Sequence, residues 1–164
     1  VLLVSSHQWP LWPGSGAAGE HGAGAGLGFT INLPLPAGFD DSGYVTLFDR
    51  LVVPVADEYQ PQLLLVSAGF DAHARDPLAG MRMTERGFAR LCGMMQAIAQ
   101  RHCAGRLALV LEGGYDLAGL SHSARACVEV LAGTREQEDV GPCDAEAATV
   151  IDSLLAAQRP FWRV

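Results

Sequence analysis

Three short apolar runs constrain the fold of this chain of 164 residues more than any other feature of its sequence. They are VLLVSS (1–6), QLLLVS (62–67) and RLALVL (106–111). Their hydrophobicity is continuous rather than alternating, which is typical of strands in a parallel sheet that is covered on both faces. A helical pattern follows the second and third runs, whereas a further short strand, FTINL (29–33), follows the first. This order predicts an α/β fold with a parallel sheet and right-handed crossovers.

Apolar residues at helical spacing, with capping residues before them, predict four helices between and after the strands. These helices are expected to begin at about Asp41, Thr84, Asp116 and Ala145. Pro54 should kink the first helix, and Gly133 should end the third as its C′ residue. Residues 7–28, which are rich in glycine and proline, and the acidic residues 134–144 are expected to be loops.

The charged residues exclude several classes of function. Eighteen acidic residues against eleven arginines give a net charge of −7, so the chain is poorly suited to binding nucleic acid or an anionic membrane directly. The sequence contains no lysine, which excludes a Walker A phosphate loop, a Schiff base and a catalytic lysine. No apolar run approaches the roughly 20 residues that a transmembrane helix needs, and no secretory signal is visible. We therefore expect neither a nucleic-acid partner nor a membrane partner.

Two further features bear on the cellular context of the chain. The four cysteines, at positions 92, 103, 127 and 143, contain no CxxC pair, which favours reduced, partly buried thiols in a cytoplasmic protein over a structural zinc cage. The first residues form an apolar run with neither an initiator methionine nor a polar lead-in, which is typical of the middle of a domain. We therefore expect a segment of a longer protein, and the sequence leaves open whether that protein forms homo-oligomers.

Three polar loops leave the carboxyl ends of the predicted buried strands, where ligands bind in parallel α/β sheets. They contain Ser5-Ser6-His7, Ala68-Gly69-Phe70-Asp71 and Glu112-Gly113-Gly114-Tyr115. If the three strands are neighbours in the sheet, these loops converge at one edge and form the first candidate site.

Asp71 and Tyr115 are the candidate chemical groups of these loops, and each has a structural alternative. A carboxylate just beyond a buried strand is costly unless it is paired or bound to a cation, but Asp71 could equally cap a loop. Asp76, which precedes Pro77, is better explained as a turn residue. A tyrosine after two glycines can present its hydroxyl to a developing oxyanion, but spacing alone slightly favours a half-buried core tyrosine at position 115.

Two other patterns are assigned structural roles. Residues 14–19 match the GxGxxG fingerprint of dinucleotide-binding proteins, with Asp40 about 20 residues further on, but the required strand and helix do not flank them. We therefore expect a surface loop there. The isolated histidines, which have no partner at ligand spacing, are expected to be structural or surface residues: His7, His21, His102 and His122.

Two long motifs carry a family resemblance. SAGFDAHARDPLAGMRMTERGFARL (67–91), followed by LVLEGGYDLAGLSHSA (109–124), resembles the C-terminal half of the catalytic domain in the histone deacetylase superfamily. The closest similarity is to class II-type and bacterial deacetylase-like amidohydrolases, including acetylpolyamine amidohydrolases, and VSSHQWPLWPGSG and GFTINLPLPAGFDDSGY fit the same family upstream. The resemblance covers residues 1–133 and implies a three-layer arginase/deacetylase α/β fold with a mostly parallel sheet. Residues 1–164 would then be the C-terminal part of a single domain, ending in a helical tail (145–164).

The resemblance implies roles for individual residues. In the family, one zinc ion is held by an aspartate and a histidine of a DxH motif and by the aspartate of the GFD motif, which corresponds to Asp71. The tyrosine of the GGY motif, which corresponds to Tyr115, donates a hydrogen bond to the acetyl carbonyl as it becomes tetrahedral. His73 stands where ureohydrolases of the same fold have a second metal-binding aspartate, which implies one metal ion. The resemblance also implies potassium ligation by Ser5 and Ser6, and a substrate tunnel lined by Trp12, Leu78, Gly113 and Gly114.

The function implied by the resemblance is hydrolysis of an N-acetyl amide by a zinc-dependent deacetylase, which releases acetate and a free amine. The substrate would be acetyl-lysine or another acetylated amine, and the apolar Leu78 weakly disfavours a polycation because no acidic gatekeeper accompanies it. The family's tandem-histidine general base and its DxH motif lie upstream of Val1, so the isolated segment is expected to be inactive, with a zinc site that outside residues complete. The alternatives are a ureohydrolase-like enzyme, which His73 disfavours, and a non-catalytic half-domain that serves as an interaction module.

Overall fold

The computed structural model describes residues 1–12 and 14–164. Four strands and five α-helices make up most of the regular structure in this part of the chain. The strands are β1 (Leu3–Gln8), β2 (Thr30–Leu35), β3 (Leu64–Ala68) and β4 (Leu107–Leu111). The helices are α1 (Asp41–Leu47), α2 (Val53–Tyr59), α3 (Glu85–His102), α4 (Leu117–Leu131) and α5 (Ala145–Gln158). The α/β class and the order of elements predicted from the sequence are confirmed.

Capping side chains set the helix starts that the sequence predicts. The Thr84 hydroxyl accepts a hydrogen bond from the Arg86 N–H (3.3 Å) at the start of α3. Asp116 accepts one from the Gly119 N–H (2.6 Å) at the start of α4. These bonds satisfy N–H groups that the first turn of a helix leaves without a partner in the helix itself.

The first predicted helix is divided in two. A π-helical segment, Phe48–Val52, joins α1 to α2, and the backbone stays helical on both sides of it. Pro54 follows this segment, in the first turn of α2. Because a proline lacks an N–H group and its ring crowds the carbonyl four residues earlier, which here belongs to Arg50, the irregularity lies where Pro54 is expected to disturb the helix.

The strands form two parallel pairs instead of one sheet. β1 pairs with β2 and β3 pairs with β4, and no ladder joins the two pairs within the described ranges. The condition under which all three polar loops would converge, that their strands are neighbours, is therefore met for β3 and β4, whereas β1 pairs with β2. As a result, the loops after β3 and β4 lie side by side, whereas Ser5 and Ser6 belong to the other pair.

Residues 1–12 and 14–164 cover only one face of the β3–β4 pair. Leu64, Val66 and Leu109 pack against the hydrophobic core, to which α3 and α4 contribute. On the other face, Leu65 is 65% exposed and Val110 is 56% exposed. Because side chains alternate between the faces of a strand, these values describe one covered face and one open face. The expectation of burial on both faces is thus not met within the described chain, because α3 and α4 lie on one side only.

Helices α3 and α4 pack together through buried thiols. The Cys92 thiol donates a hydrogen bond to the Cys127 carbonyl (3.6 Å), and the Cys127 thiol donates one to the Phe88 carbonyl (3.7 Å). Cys92, Cys103 and Cys127 are buried free thiols, as the sequence predicts, and Cys143 is half-buried. In the described part of the chain, every helix is too short or too polar to cross a bilayer.

Candidate active site

The Asp71 carboxylate follows β3 and lies in a space that two glycines leave open. A Cβ atom at Gly69 would come within 2.9 Å of the Asp71 Oδ1, and one at Gly113 would come within 3.0 Å of the Asp71 Cγ. A side chain at either position would therefore displace the carboxylate. The loop after β4 is held against this loop by a hydrogen bond from the Phe70 N–H to the Gly113 carbonyl (2.8 Å). The two loops converge, as expected for neighbouring parallel strands.

The Tyr115 side chain projects from the loop after β4 and is 58% exposed. Its backbone follows Gly114, whose φ of 131° is accessible to glycine but strained for other residues. The alternative interpretation, a half-buried core tyrosine, is therefore wrong, because the turn leaves the side chain largely in solvent. An exposed phenol beside the Asp71 loop is available to donate a hydrogen bond to a bound molecule.

Asp76 lies between these two loops and is buried, with 8% of its surface exposed. Its Oδ1 accepts hydrogen bonds from the N–H groups of Leu78 (2.9 Å) and Ala79 (3.3 Å), which confirms the predicted turn. Its Oδ2 accepts a hydrogen bond from the Tyr115 N–H (2.8 Å). The sequence did not indicate this second contact, because the two residues are 39 positions apart and no local pattern relates them.

His73 is buried and packs the Asp71 loop against α3. Its Nδ1 accepts a hydrogen bond from the Arg75 N–H (3.1 Å), and its Nε2 lies 3.6 Å from a carboxylate oxygen of Glu85. The pKa of Glu85 is lowered by a hydrogen bond from the backbone N–H of Glu85 itself, and the His73 ring lowers this pKa further. The His73 ring also stacks on Phe88, with the two planes 6° apart. These contacts engage both ring nitrogens of His73 in holding the loop.

Tyr44 of α1 is a buried residue near Asp71 that the sequence did not single out as a site residue. Burial raises the pKa of its phenol, and the negative charge of the Asp71 carboxylate raises it further. The hydroxyl therefore stays protonated near this carboxylate. Helix α1 is in turn anchored to α3, because Asp41 accepts hydrogen bonds from the N–H (2.7 Å) and the hydroxyl (2.6 Å) of Thr84.

The predicted potassium ligands lie on β1. The Ser5 hydroxyl is 3.1 Å from the His7 Nδ1. The Leu3 N–H donates a hydrogen bond to the Phe29 carbonyl (2.9 Å). Because the backbone N–H and C=O groups of successive residues point to opposite edges of a strand, those of the odd-numbered residues of β1 point toward β2. The Ser6 carbonyl consequently faces the opposite edge of β1, whereas the Ser5 carbonyl faces β2. Ser6 therefore offers its carbonyl, and Ser5 its hydroxyl, as oxygen donors.

Residues 14–19, which match the dinucleotide fingerprint, form a loop as predicted. The loop lies between β1 and a short 3-10 turn at Gly24–Gly26. The Glu20 carboxylate accepts hydrogen bonds from the N–H groups of Gly16 (3.1 Å) and Ala17 (3.0 Å). A bound phosphate would need N–H groups of this kind, and here they are already bonded to the Glu20 carboxylate. The His7 Nε2 lies 3.0 Å from the Gly16 carbonyl oxygen, so His7 helps to hold this loop.

The four residues expected to line a substrate tunnel are divided between the two strand pairs. Leu78 is exposed on the turn that Asp76 caps, and Gly113 and Gly114 directly precede Tyr115. Trp12 is also exposed but lies in the loop after β1. The fold thus brings Leu78 and the two glycines to the edge that carries Asp71 and Tyr115.

Within residues 1–12 and 14–164, no three His, Cys, Asp or Glu side chains are grouped as a metal site. A protein zinc site uses at least three protein ligands, whereas Asp71 supplies a single carboxylate. The space that Gly69 and Gly113 leave around this carboxylate is nevertheless suited to a cation ligand. The described residues can therefore contribute one carboxylate ligand, and the adjoining loop carries an exposed phenol.

Comparison with known proteins identifies relatives of this chain. Residues 1–131 match the histone deacetylase domain. A probable deacetylase of Archaeoglobus fulgidus is 43% identical over 134 residues, which are 81% of this chain and 37% of that protein. The polyamine deacetylase HDAC10 of Homo sapiens is 41% identical over an alignment 172 positions long, which covers 99% of this chain and 25% of that protein. The crystal structure of the HDA15 HD domain superposes with a TM-score of 0.87 at 34% identity, over 98% of this chain and 44% of that one. The chain thus spans less than half the length of each of these relatives.

Proposed function

Because the chain belongs to the histone deacetylase family, we propose that it acts, as part of a longer chain, in a zinc-dependent deacetylase. The reaction is hydrolysis of an N-acetyl amide to acetate and a free amine. The observation that carries this proposal is the Asp71 carboxylate in its glycine-lined space, next to the loop that carries the exposed Tyr115. Neither a surface loop nor a packed core requires that combination.

Each of the two residues has a distinct part in the proposed reaction. Asp71 is one ligand of the zinc ion, and residues outside those described here supply the other ligands and the general base. When bound, zinc would polarise the acetyl carbonyl and lower the pKa of a water molecule. Tyr115 donates its phenol proton in a hydrogen bond to the carbonyl oxygen as negative charge develops there. Ser5 and Ser6 bind potassium in a separate site.

The proposed substrate is acetyl-lysine or another acetylated amine. Leu78 lies at the exposed end of the Asp76 turn and presents an apolar side chain to the entrance. With Trp12, Gly113 and Gly114 it would line a narrow passage for an alkyl chain. An apolar residue at this entrance offers no charge to a polycation, which favours a singly charged or neutral chain over a polyamine.

The contacts of His73 argue against a ureohydrolase-like enzyme with two metal ions. Such an enzyme would need a second metal ligand at this position, two residues after Asp71. The His73 ring is instead engaged by Arg75 and Glu85 and is stacked on Phe88. One metal ion is therefore the better proposal.

Two substitutions in the full-length protein test the proposal. Asp71→Ala should abolish zinc retention and deacetylation, because it removes one of three protein ligands. Tyr115→Phe should retain zinc and lower kcat by about 10²–10³-fold, the effect of losing one oxyanion donor. Zinc is measured by elemental analysis, and deacetylation is measured with a fluorogenic acetyl-lysine peptide and with an acetylated diamine.

Matched controls separate these effects from general damage. Asp49→Ala changes an exposed aspartate on the π-helical segment, and Tyr59→Phe changes a tyrosine that packs on Phe29. Both variants should behave as the wild type does. Full zinc content in Asp71→Ala would refute its assignment as a ligand. An unchanged kcat in Tyr115→Phe would refute the assignment of the donor.

A further inference from the structure

We propose that Asp76 is a positioning residue, which fixes Tyr115 relative to Leu78 at the mouth of the candidate active site. One buried carboxylate accepts hydrogen bonds from both loops. Oδ2 accepts a hydrogen bond from the Tyr115 N–H (2.8 Å), and Oδ1 accepts hydrogen bonds from the N–H groups of Leu78 (2.9 Å) and Ala79 (3.3 Å). The inference rests on the proposed function, because Tyr115 and Leu78 are the residues that meet the substrate there.

The backbone around Tyr115 needs such a restraint. Gly113 and Gly114 precede it, and consecutive glycines have access to many backbone conformations. The Tyr115 side chain is mostly exposed, so packing restrains it little. A hydrogen bond from the Tyr115 N–H to a buried carboxylate selects one conformation of the turn, and with it the direction of the phenol.

A second contact lies beside this hydrogen bond. The Arg75 Nε is 3.2 Å from the Asp116 Oδ1, so residues 75 and 76 pair with residues 116 and 115, respectively. Arg75 is exposed, and exposed ion pairs contribute little because water screens them. The buried Asp76 carboxylate, whose bonds to N–H groups are charge-assisted, therefore restrains the backbone of Tyr115 more strongly than this ion pair does.

Asp76→Asn in the full-length protein tests the inference. The amide keeps the size of the carboxylate but offers one acceptor oxygen, so its NH2 group must face an N–H donor of one of the two loops. We expect kcat to fall about tenfold, as for the loss of one hydrogen bond to a charged group, with a change in KM of less than about threefold. Asp144→Asn is the matched control, because the Asp144 carboxylate accepts a hydrogen bond from the Ala147 N–H (2.8 Å) at the start of α5, away from the candidate site.

A double-mutant cycle distinguishes positioning from a merely structural role. In the Tyr115→Phe background the donor is already lost, so Asp76→Asn should lower kcat by less than about twofold. A general loss of stability would instead lower kcat by the same factor in both backgrounds. Equal factors in the two backgrounds, or an unchanged kcat in Asp76→Asn alone, would overturn the inference.

Hydrogen exchange of the wild-type protein gives a readout that needs neither activity nor a folded variant. The Tyr115 amide should exchange at least about tenfold more slowly than an unstructured peptide, despite the exposure of its side chain. Exchange at the unprotected rate in an active enzyme would overturn this inference alone. If the wild-type protein deacetylates no acetyl-lysine or acetylated diamine, the proposed function fails, and the positioning role of Asp76 in that reaction fails with it.

Discussion

The two glycines around Asp71 allow a prediction that separates the metal site from the stability of the fold. A Cβ at Gly113 would lie 3.0 Å from the Asp71 Cγ, and one at Gly69 would lie 2.9 Å from its Oδ1, whereas ordinary contacts of this kind begin at 3.4 Å. Gly69→Ala or Gly113→Ala must therefore push the carboxylate aside by about half an ångström. Neither glycine has a positive φ, so alanine introduces no backbone strain at these positions.

The size of the expected effect follows from what the carboxylate does. Changes that misplace a metal ligand without removing it typically weaken binding by about 10–100-fold, which is about 1.4–2.8 kcal/mol. Asp71 is only half-buried and can move, so the metal-free fold should lose little. Replacing glycine by alanine where the backbone accepts it even stabilises a fold by about 0.4–1 kcal/mol. We therefore expect weaker zinc binding at a free energy of unfolding that changes by less than about 1 kcal/mol.

The measurement compares these variants with Gly26→Ala in the full-length protein. A Cβ at Gly26 meets no atom within 4 Å, so this control should leave zinc affinity unchanged and should change the free energy of unfolding by less than about 1 kcal/mol, as in the two test variants. Zinc affinity is measured by competition with a chelating dye, and stability is measured by urea unfolding of the metal-free protein. If Gly69→Ala and Gly113→Ala bind zinc as tightly as Gly26→Ala does, the space around Asp71 does not serve a metal ligand.

Two further predictions concern neighbouring parts of the structure. Ser5→Ala should reduce the dependence of activity on potassium, because the Ser5 hydroxyl and the Ser6 carbonyl are the oxygen donors that β1 offers. This dependence is measured by titrating the enzyme with potassium against a non-coordinating cation. Activity of the wild type that does not change with potassium would argue against the site. Asp41→Ala should lower the free energy of unfolding by about 1–3 kcal/mol, because it removes two hydrogen bonds that the half-buried Thr84 donates to the buried Asp41 carboxylate. A urea titration that finds less than about 0.5 kcal/mol would contradict the anchoring role of Asp41.

The elements of this fold were predictable because their signals are local. The helix starts at Thr84 and Asp116 depend on a side chain and an N–H group two or three residues later, and the sequence displays both. The apolar runs likewise mark β1, β3 and β4 through their own composition. The convergence of the Asp71 and Tyr115 loops followed from one general rule for parallel sheets, once β3 and β4 were neighbours.

The features that the sequence did not reveal depend on contacts between distant residues. The hydrogen bond between Tyr115 and Asp76 joins two loops, and Asp-Pro at 76–77 is fully explained by a turn without it. The pairing of β1 with β2 is a further example, because several strands of the chain are apolar and hydrophobicity alone does not determine which of them pairs with β1. Continuous apolar composition also predicted two covered faces, but which face a helix covers is set by the crossover connections.

The open face of the β3–β4 pair supports a last prediction, on residues 1–164 expressed alone. Leu65 and Val110 lie on that face and are more than half exposed, and large exposed apolar patches promote association. Asp71 would be a lone carboxylate ligand among the described residues, too few for tight zinc binding. We therefore expect this segment to be inactive, to bind zinc poorly and to associate or precipitate, and to improve when the remainder of a family domain is supplied in trans. Zinc content, light scattering and a fluorogenic acetyl-lysine assay measure these properties. Robust deacetylation by the segment alone would mean that it carries a general base of its own, and the division of roles proposed for Asp71 and Tyr115 would have to be abandoned.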